Sequence, residues 1–452
     1  MHEHMLSVAE AARRIRARQL SPVALMESTL AWIEASEPQV QAWVTLDSAG
    51  ALAAAHRCAE ELRHGQICGP LHGVPLGIKD IFYTAGMRTT MGSPIFADYV
   101  PDYDATTVAR LKAAGAIIVG KTQTTEFATL DPAPTHNPWQ LVHTPGGSSS
   151  GSGAAVGAYM IPGALGSQTA GSVLRPAAYC GTVGLKPTFG RISRYGVFPV
   201  SWRLDHMGIL TRTVEDAALL LQVLAGHDPH DLSSAMLPVP DYLQSLETGT
   251  APRLGVLRDF FWERATTQVQ RQTEEAIARL QQAGAQVSEV RQPESFAAGF
   301  AAHRIIMQVE AAAVHADLFS QHREKYRPHI RSTIEAGLLI PGVSYVRAQR
   351  VRRRLQRQLE PLLASVDVLL TPTTPTPAPA GLHATGDPVF QTPWTFVGLP
   401  SITVPSGLSP HGLPLGLQLV AAPFAEARLL AVARWCERTL DFAARPALCG
   451  TS

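Results

Sequence analysis

The sequence predicts an α/β fold, and three observations carry that reading. Segments with helical periodicity alternate with short apolar, β-branched runs along most of the chain. Apolar residues make up 46% of the 452 and charged residues only 17%, which suits a large, well-filled interior. No repeat at a solenoid period interrupts the pattern. A chain of this length holds either one large α/β domain or two to three smaller ones.

The first 65 residues read as helices. Ser7-Val8-Ala9-Glu10 is a capping box that opens one. Ser21-Pro22 supplies an N-cap and an N1 proline for a second, with apolar Leu25, Leu30 and Ile33 interleaved. A third runs through 51–63 and stops near Gly65. Short strands and turns begin at Gly73-Val74-Pro75-Leu76-Gly77-Ile78-Lys79-Asp80, and a helix over 106–114 leads into a strand at 116–119. From 146 to about 213 the chain is rich in glycine and small residues, and 213–225 forms an amphipathic helix closed by Gly226.

Residues from about 228 to 365 differ in texture. A strand at 254–257, a helix at 266–283 and a strand at 286–290 precede Arg-rich helical stretches around 307–319 and 345–363. They read as an inserted or peripheral, largely helical region. A buried strand at 367–370 then ends in a proline-rich connector over 371–379. The C-terminus returns to strands at 401–405 and 415–420 and closes with a helix from about 425.

Bulk chemistry removes several classes of function. The formal net charge is +1, with both signs spread along the chain, so neither a nucleic-acid groove nor a polybasic membrane patch is expected. Five cysteines without a CxxC pair favour free thiols in a reducing compartment. Met1-His2-Glu3-His4-Met5 lacks the basic and apolar regions of a signal peptide, and no run reaches membrane-span length. The expected location is cytoplasmic.

Gly115-Ala116-Ile117-Ile118-Val119-Gly120-Lys121-Thr122 fits the phosphate-loop pattern letter for letter. The residues between its glycines must curl around phosphates, yet Ala-Ile-Ile-Val favours an extended strand. An ordinary strand and its exit turn is the better reading.

Chemistry concentrates elsewhere. Gly146-Gly147-Ser148-Ser149-Ser150-Gly151-Ser152-Gly153 and Gly166-Ser167-Gln168-Thr169-Ala170-Gly171-Ser172 are two Ser-Gly loops separated by an apolar stretch, 154–161, that a flexible linker would not contain. Glycines let backbone N–H groups approach a ligand and serines supply hydroxyls, a combination suited to acyl transfer. A serine nucleophile needs a base. None of the 16 histidines stands in a recognisable triad context. His72 and His136, close to the loops in sequence, read as polar or packing residues. Lysine is the other candidate, and only five occur against 33 arginines. Lys79, set among Leu76, Ile78, Ile81 and Phe82, either pairs with a carboxylate such as Asp80 or is a desolvated, neutral base.

Taken together, these segments resemble the amidase signature family. The resemblance rests on Gly73-Val74-Pro75 with Lys79-Asp80, on the first Ser-Gly loop, and on Gly171-Ser172-Val173-Leu174-Arg175-Pro176-Ala177. Gly184-Leu185-Lys186-Pro187-Thr188, Leu204-Asp205, Gly398-Leu399-Pro400-Ser401 and Gly412-Leu413-Pro414-Leu415-Gly416 extend it. It covers about 6 to 445 and is weakest between 230 and 365. The resemblance implies a single α/β domain over 1–452, with a mixed twisted sheet covered by helices on both faces. Within it, 1–65 is the helical entry, 66–227 the signature core, 228–365 the variable region and 366–452 the return to the sheet.

It also implies a Ser–cis-Ser–Lys triad. Lys79 matches the catalytic lysine, Ser148 the serine on a cis peptide bond and Ser172 the nucleophile. Backbone N–H groups of Thr169, Ala170, Gly171 and Ser172 would form the oxyanion hole. Ser149, Ser150 and Ser152 match supporting positions that brace the loops. Arg175 matches an arginine after the nucleophile and is expected in a structural ion pair. Two positions depart from the usual Thr-Asp-x-Gly-Gly-Ser. Gln168 loses a charge and is expected to alter the electrostatics around Lys79, and Ala170 adds a methyl that requires negative φ.

The implied activity is hydrolysis of a linear carboxylic amide to acid and ammonia or amine, with a small-molecule amide as substrate and no metal or organic cofactor. A homodimer is left open. The alternative is the glutaminase (A) subunit of an aminoacyl-tRNA amidotransferase, which works with partner subunits. Residues 185–231 resemble that protein closely, whereas 125–136 is short and proline-broken where it carries a longer Ser-rich segment. A catalytically silent scaffold is the rival from another class, and the intact Lys79, Ser148 and Ser172 argue against it.

Overall fold

The structure, a computed structural model, describes residues 2–247 and 250–450. Its strands are β1 (Trp43–Leu46), β2 (Pro75–Lys79), β3 (Ile117–Thr122), β4 (Gly163–Gln168), β5 (Val183–Lys186), β6 (His206–Thr211), β7 (Arg253–Leu257), β8 (Gln286–Val290), β9 (Val368–Pro372), β10 (Ser401–Leu408) and β11 (Pro414–Val420). They join in one 11-stranded sheet of order β1-β3-β2-β4-β6-β5-β10-β11-β9-β7-β8. The pairs β2–β3, β2–β4, β7–β8 and β7–β9 are parallel and the others antiparallel, so the sheet is mixed.

Helices α1 (Val8–Arg16), α2 (Pro22–Val40), α3 (Ser48–Arg63), α4 (Thr106–Ala113), α5 (Ser150–Gly157), α6 (Leu174–Tyr179) and α7 (Val214–Leu224) belong to the first half. The second half has α8 (Asp259–Arg264), α9 (Thr267–Gln282), α10 (Phe296–His322), α11 (Pro328–Leu339), α12 (Gly342–Ser365), α13 (Thr392–Val397) and α14 (Glu426–Leu440). No helix among the described residues is long and apolar enough to cross a membrane.

Alternation along the strands explains why both faces are covered. On β3, Ile118 joins a core with α1, α4, α7 and α14, while Ile117 and Val119 join a second core with α2, α3, α5 and α6. On β9, Val368 and Leu370 face the first core, and Leu369 meets a third with Phe260, Phe296, Leu355 and Trp394. A period of two with apolar residues on both sides requires helices above and below. Each fully buried Leu, Ile or Phe on these faces contributes about 1.5–3 kcal/mol relative to exposure. The chain is therefore one α/β domain with a large mixed sheet between helical layers, as expected.

The region over 228–365 is not a separate layer. β7 and β8 extend the same sheet at its edge, and α10 and α12 cover the third core. Its polar, Arg-rich helix surfaces conceal that continuity in the sequence. At Gly115–Thr122 the chain runs as strand through Lys121, whose buried ammonium donates to Thr89 Oγ1 at 2.8 Å. Ser7 caps α1 by accepting from the Glu10 N–H, but the Glu10 carboxylate pairs with Arg13 and Arg14, so half of the capping box is made.

Candidate active site

β2 lies between β3 and β4, third from one edge of the sheet, and parallel to both. Ile78 stands opposite Leu165, so Lys79 at the end of β2 reaches the level of Gly166 and Ser167 at the end of β4. Strand ends at such a site leave side chains free of the ladder while the sheet holds their backbone rigid. Lys79 is fully buried, with Nζ 2.7 Å from Ser148 Oγ, 2.8 Å from Ser167 Oγ and 3.5 Å from the Ser167 carbonyl. Burial, the largest influence, holds its pKa well below the ordinary 10.5; Asp205 opposes that shift and Arg175 adds to it.

Asp80, the adjacent carboxylate, turns the other way. It accepts from the Thr90 N–H and hydroxyl at 2.9 and 2.5 Å and lies 3.8 Å from the Lys121 ammonium. The pairing of Lys79 with Asp80 is thus excluded in this structure by strand alternation.

The first Ser-Gly loop delivers Ser148. Gly146 has φ 84°, favourable for glycine, and the Gly147–Ser148 peptide is cis. The neighbouring hydroxyls brace. Ser150 Oγ donates to the Gly146 carbonyl at 2.8 Å, Ser152 Oγ to the Leu165 carbonyl at 2.8 Å, and Ser149 Oγ contacts the Ser167 carbonyl and N–H at 3.3 Å. Arg175 is buried but forms no ion pair among the described residues, which corrects the expectation. It donates to the Gly147 carbonyl at 2.6 Å, to the Gly386 carbonyl at 3.0 Å and to Thr385 Oγ1 at 3.1 Å. A guanidinium with five donors in a fixed fork can bind converging carbonyls where no carboxylate is present. Burial pushes its pKa down to about 10, so it stays charged at neutral pH.

The second loop carries Ser172, 8% exposed, two residues before α6. The backbone N–H groups of Thr169, Ala170, Gly171 and Ser172 find no acceptor among the described residues. Ala170 is not in the positive-φ region, so its methyl is accommodated. A Cβ at Gly171 would meet Gln391 Oε1 at 2.4 Å, which explains the glycine there. No hydrogen bond joins the Ser172 hydroxyl to Ser148 among the described residues.

Gln168 is a structural clamp. Its Oε1 accepts from the N–H groups of Val173 and Leu174 at 2.9 and 3.0 Å, and its Nε2 donates to Thr395 Oγ1 at 2.9 Å. Thr395 in turn donates to the Ala170 carbonyl at 2.7 Å. The carboxylate that opposes the lowering of the Lys79 pKa is Asp205, whose Oδ1 accepts from Thr169 Oγ1 at 2.6 Å while Oδ2 takes the Val200 and Ser201 N–H groups. On the far side, His303 of α10 contacts the Thr169 carbonyl through Nε2 at 2.9 Å. Burial brings its pKa to about 4, so the neutral ring donates there at pH 7.

Ser167, His303 and Thr395 were not singled out from the sequence, and Asp205 stood there only within a segment of the family resemblance, without a role. Ser167 had a signal, a hydroxyl at the end of a strand in the nucleophile's own run. His303 and Thr395 had none, lying 134 and 225 positions from the residues they brace.

The amidase family profile matches residues 24–430, and the chain belongs to the amidase family. It is 39% identical to the A subunit of glutamyl-tRNA(Gln) amidotransferase from Carboxydothermus hydrogenoformans, over 99% of this chain and 100% of that one. A peptide amidase solved with the competitive inhibitor chymostatin is 32% identical, with TM-score 0.86 over 97% of this chain and 98% of the other. A chain from a vestigial complex that bears on the origins of an s-triazine catabolic enzyme is also 32% identical. It superposes with TM-score 0.90 over 96% of this chain and 98% of that one.

Proposed function

We propose that the chain hydrolyses the C–N bond of a carboxylic amide through an acyl-enzyme on Ser172. The observation that carries this is the fully buried Lys79, with a lowered pKa, 2.7 Å from the hydroxyl of Ser148 and beside a loop of unpaired N–H groups around Ser172. Neutral Lys79 accepts a proton from Ser148, and Ser148 takes one from Ser172 as its oxygen attacks the amide carbonyl. The leg from Ser148 to Ser172 forms with substrate in place, as catalytic hydrogen bonds commonly tighten on binding. N–H groups of Thr169, Ala170, Gly171 and Ser172 receive the developing oxyanion. The same relay, run backwards, protonates the departing ammonia or amine, and water then releases the acid.

Ser172→Ala is expected to abolish hydrolysis of an amide panel, by about 10⁴-fold or more, and to abolish labelling by a fluorophosphonate probe. Lys79→Ala should reduce turnover severely while circular dichroism stays native. Full activity in either variant would sink the assignment.

A second reading has its own support. The 39% identity with the amidotransferase protein extends over 99% of this chain and 100% of that one. On this reading the same triad liberates ammonia from glutamine for partner subunits. Negligible glutaminase activity alone, restored by adding partner subunits, would favour it. Turnover of aliphatic, aromatic or dicarboxylic monoamides without partners would favour the first.

A further inference from the structure

Away from the amide site, the last turns of α3 and the loop from it into β2 gather four metal-ligating side chains. Ligand atoms of Cys58, Glu61 and His72 all lie within 4.8 Å of one another, and Cys68 Sγ is 3.2 Å from Glu61 Oε2. The His72 ring, 3% exposed, is held by its Nε2 at 2.9 Å from the Cys58 carbonyl. That bond places the proton on Nε2 and leaves the Nδ1 lone pair 3.9 Å from Glu61 Oε2. The only other group on Nδ1 among the described residues is the Cys68 N–H, at a long 3.4 Å. Metal-binding histidines are held in this way, one ring nitrogen on a backbone carbonyl and the other aimed at the ion.

We propose that Cys58, Cys68, His72 and Glu61 form a zinc site. Two thiolates and an imidazole select a borderline-soft cation over magnesium or calcium, and four protein ligands make a closed, structural centre. Ligand atoms of Cys58, Glu61 and His72 need only draw in to about 2.0–2.3 Å from a central ion, and Cys68, outside that cluster but joined to it through Glu61, turns in to complete the shell. As the two Zn–S bonds form, two thiol protons leave to solvent, and the imidazole binds through its Nδ1 lone pair. Without a cation, burial and then Glu61 push the Cys58 thiol up to about 11, and Cys68 is raised first by its hydrogen bond to Glu61. A divalent ion reverses that influence. Arg57 and Lys112 line the same cavity, but Lys112 is held by Asp104 at 2.8 Å, so neither it nor that carboxylate competes directly. The ion would staple α3 to the segment that enters β2, the strand bearing Lys79.

The test uses the full-length chain without an affinity tag, fully reduced and stripped of metal, titrated with Co²⁺ and then Zn²⁺. One equivalent of Co²⁺ should give a thiolate-to-cobalt charge-transfer band with tetrahedral d–d absorption, displaced by Zn²⁺. Cys58→Ser and the exposed Cys68→Ser should each weaken binding at least about tenfold. Zinc should raise the melting temperature of the parent chain and not of either variant. The proposal fails if the reduced chain shows no charge-transfer band. It fails equally if the band is unchanged in both variants, or if Cys58 and Cys68 form a disulfide that persists under cytosolic thiol concentrations.

Discussion

With its ammonium sealed from water and facing two hydroxyls, Lys79 holds a proton weakly. Below its depressed pKa it is charged and cannot serve as base, so kcat/KM should climb along an acid limb and level off well under pH 10.5. A profile that rises only near 10.5 would contradict the role. The sign for stability is the same. Between the two pKa values the unfolded chain binds a proton that the native state does not, so this group adds stability as pH rises. Gln168 makes a different prediction. Gln168→Ala leaves the buried N–H groups of Val173 and Leu174 unpaired, costing about 1–3 kcal/mol in denaturant midpoint experiments and lowering kcat through a displaced Ser172. At this scale Lys79 and the two Ser-Gly loops stood out because lysine is scarce here and glycine-serine runs are distinctive, whereas the roles expected of Ser148 and Ser172 came from the resemblance to the amidase signature family. Ser167 gains its role only once register sets it beside Lys79.

Among the elements, α10 reaches furthest into the site. His303 braces the Thr169 carbonyl, and Glu310 accepts from Ser201 Oγ at 2.5 Å and Tyr345 Oη at 2.6 Å, tying α10 and α12 to the segment that presents Asp205. His303→Phe keeps a planar aromatic ring and removes the hydrogen bond. It should lower kcat/KM about 10- to 100-fold by misplacing the loop, with little change in melting temperature; parent-like turnover would remove His303 from the positioning set. The helices themselves were readable from periodicity and caps, as Thr213 at the start of α7 and Ser21 at the start of α2 show. What α10 touches was not readable, because a helical pattern reports which face is buried and not the loop it is buried against.

Across the whole molecule, one sheet runs from β1 to β8, and residues over 228–365 supply two of its strands and much of the third core. Equilibrium unfolding followed by tryptophan fluorescence and by far-ultraviolet circular dichroism should therefore show coincident transitions. An early, separate transition for that region would indicate an independent layer. By itself the sequence determined the α/β class, most element positions and Lys79 as a candidate base, because periodicity, turn residues and unusual composition are local properties; the triad roles were implied only by the family resemblance. Tertiary structure alone decided that Arg175 clamps carbonyls, that Gln168 holds the N–H groups of Val173 and Leu174, and that Cys58 and His72 meet. Those contacts depend on strand register and helix docking, which bring together residues that no local pattern connects.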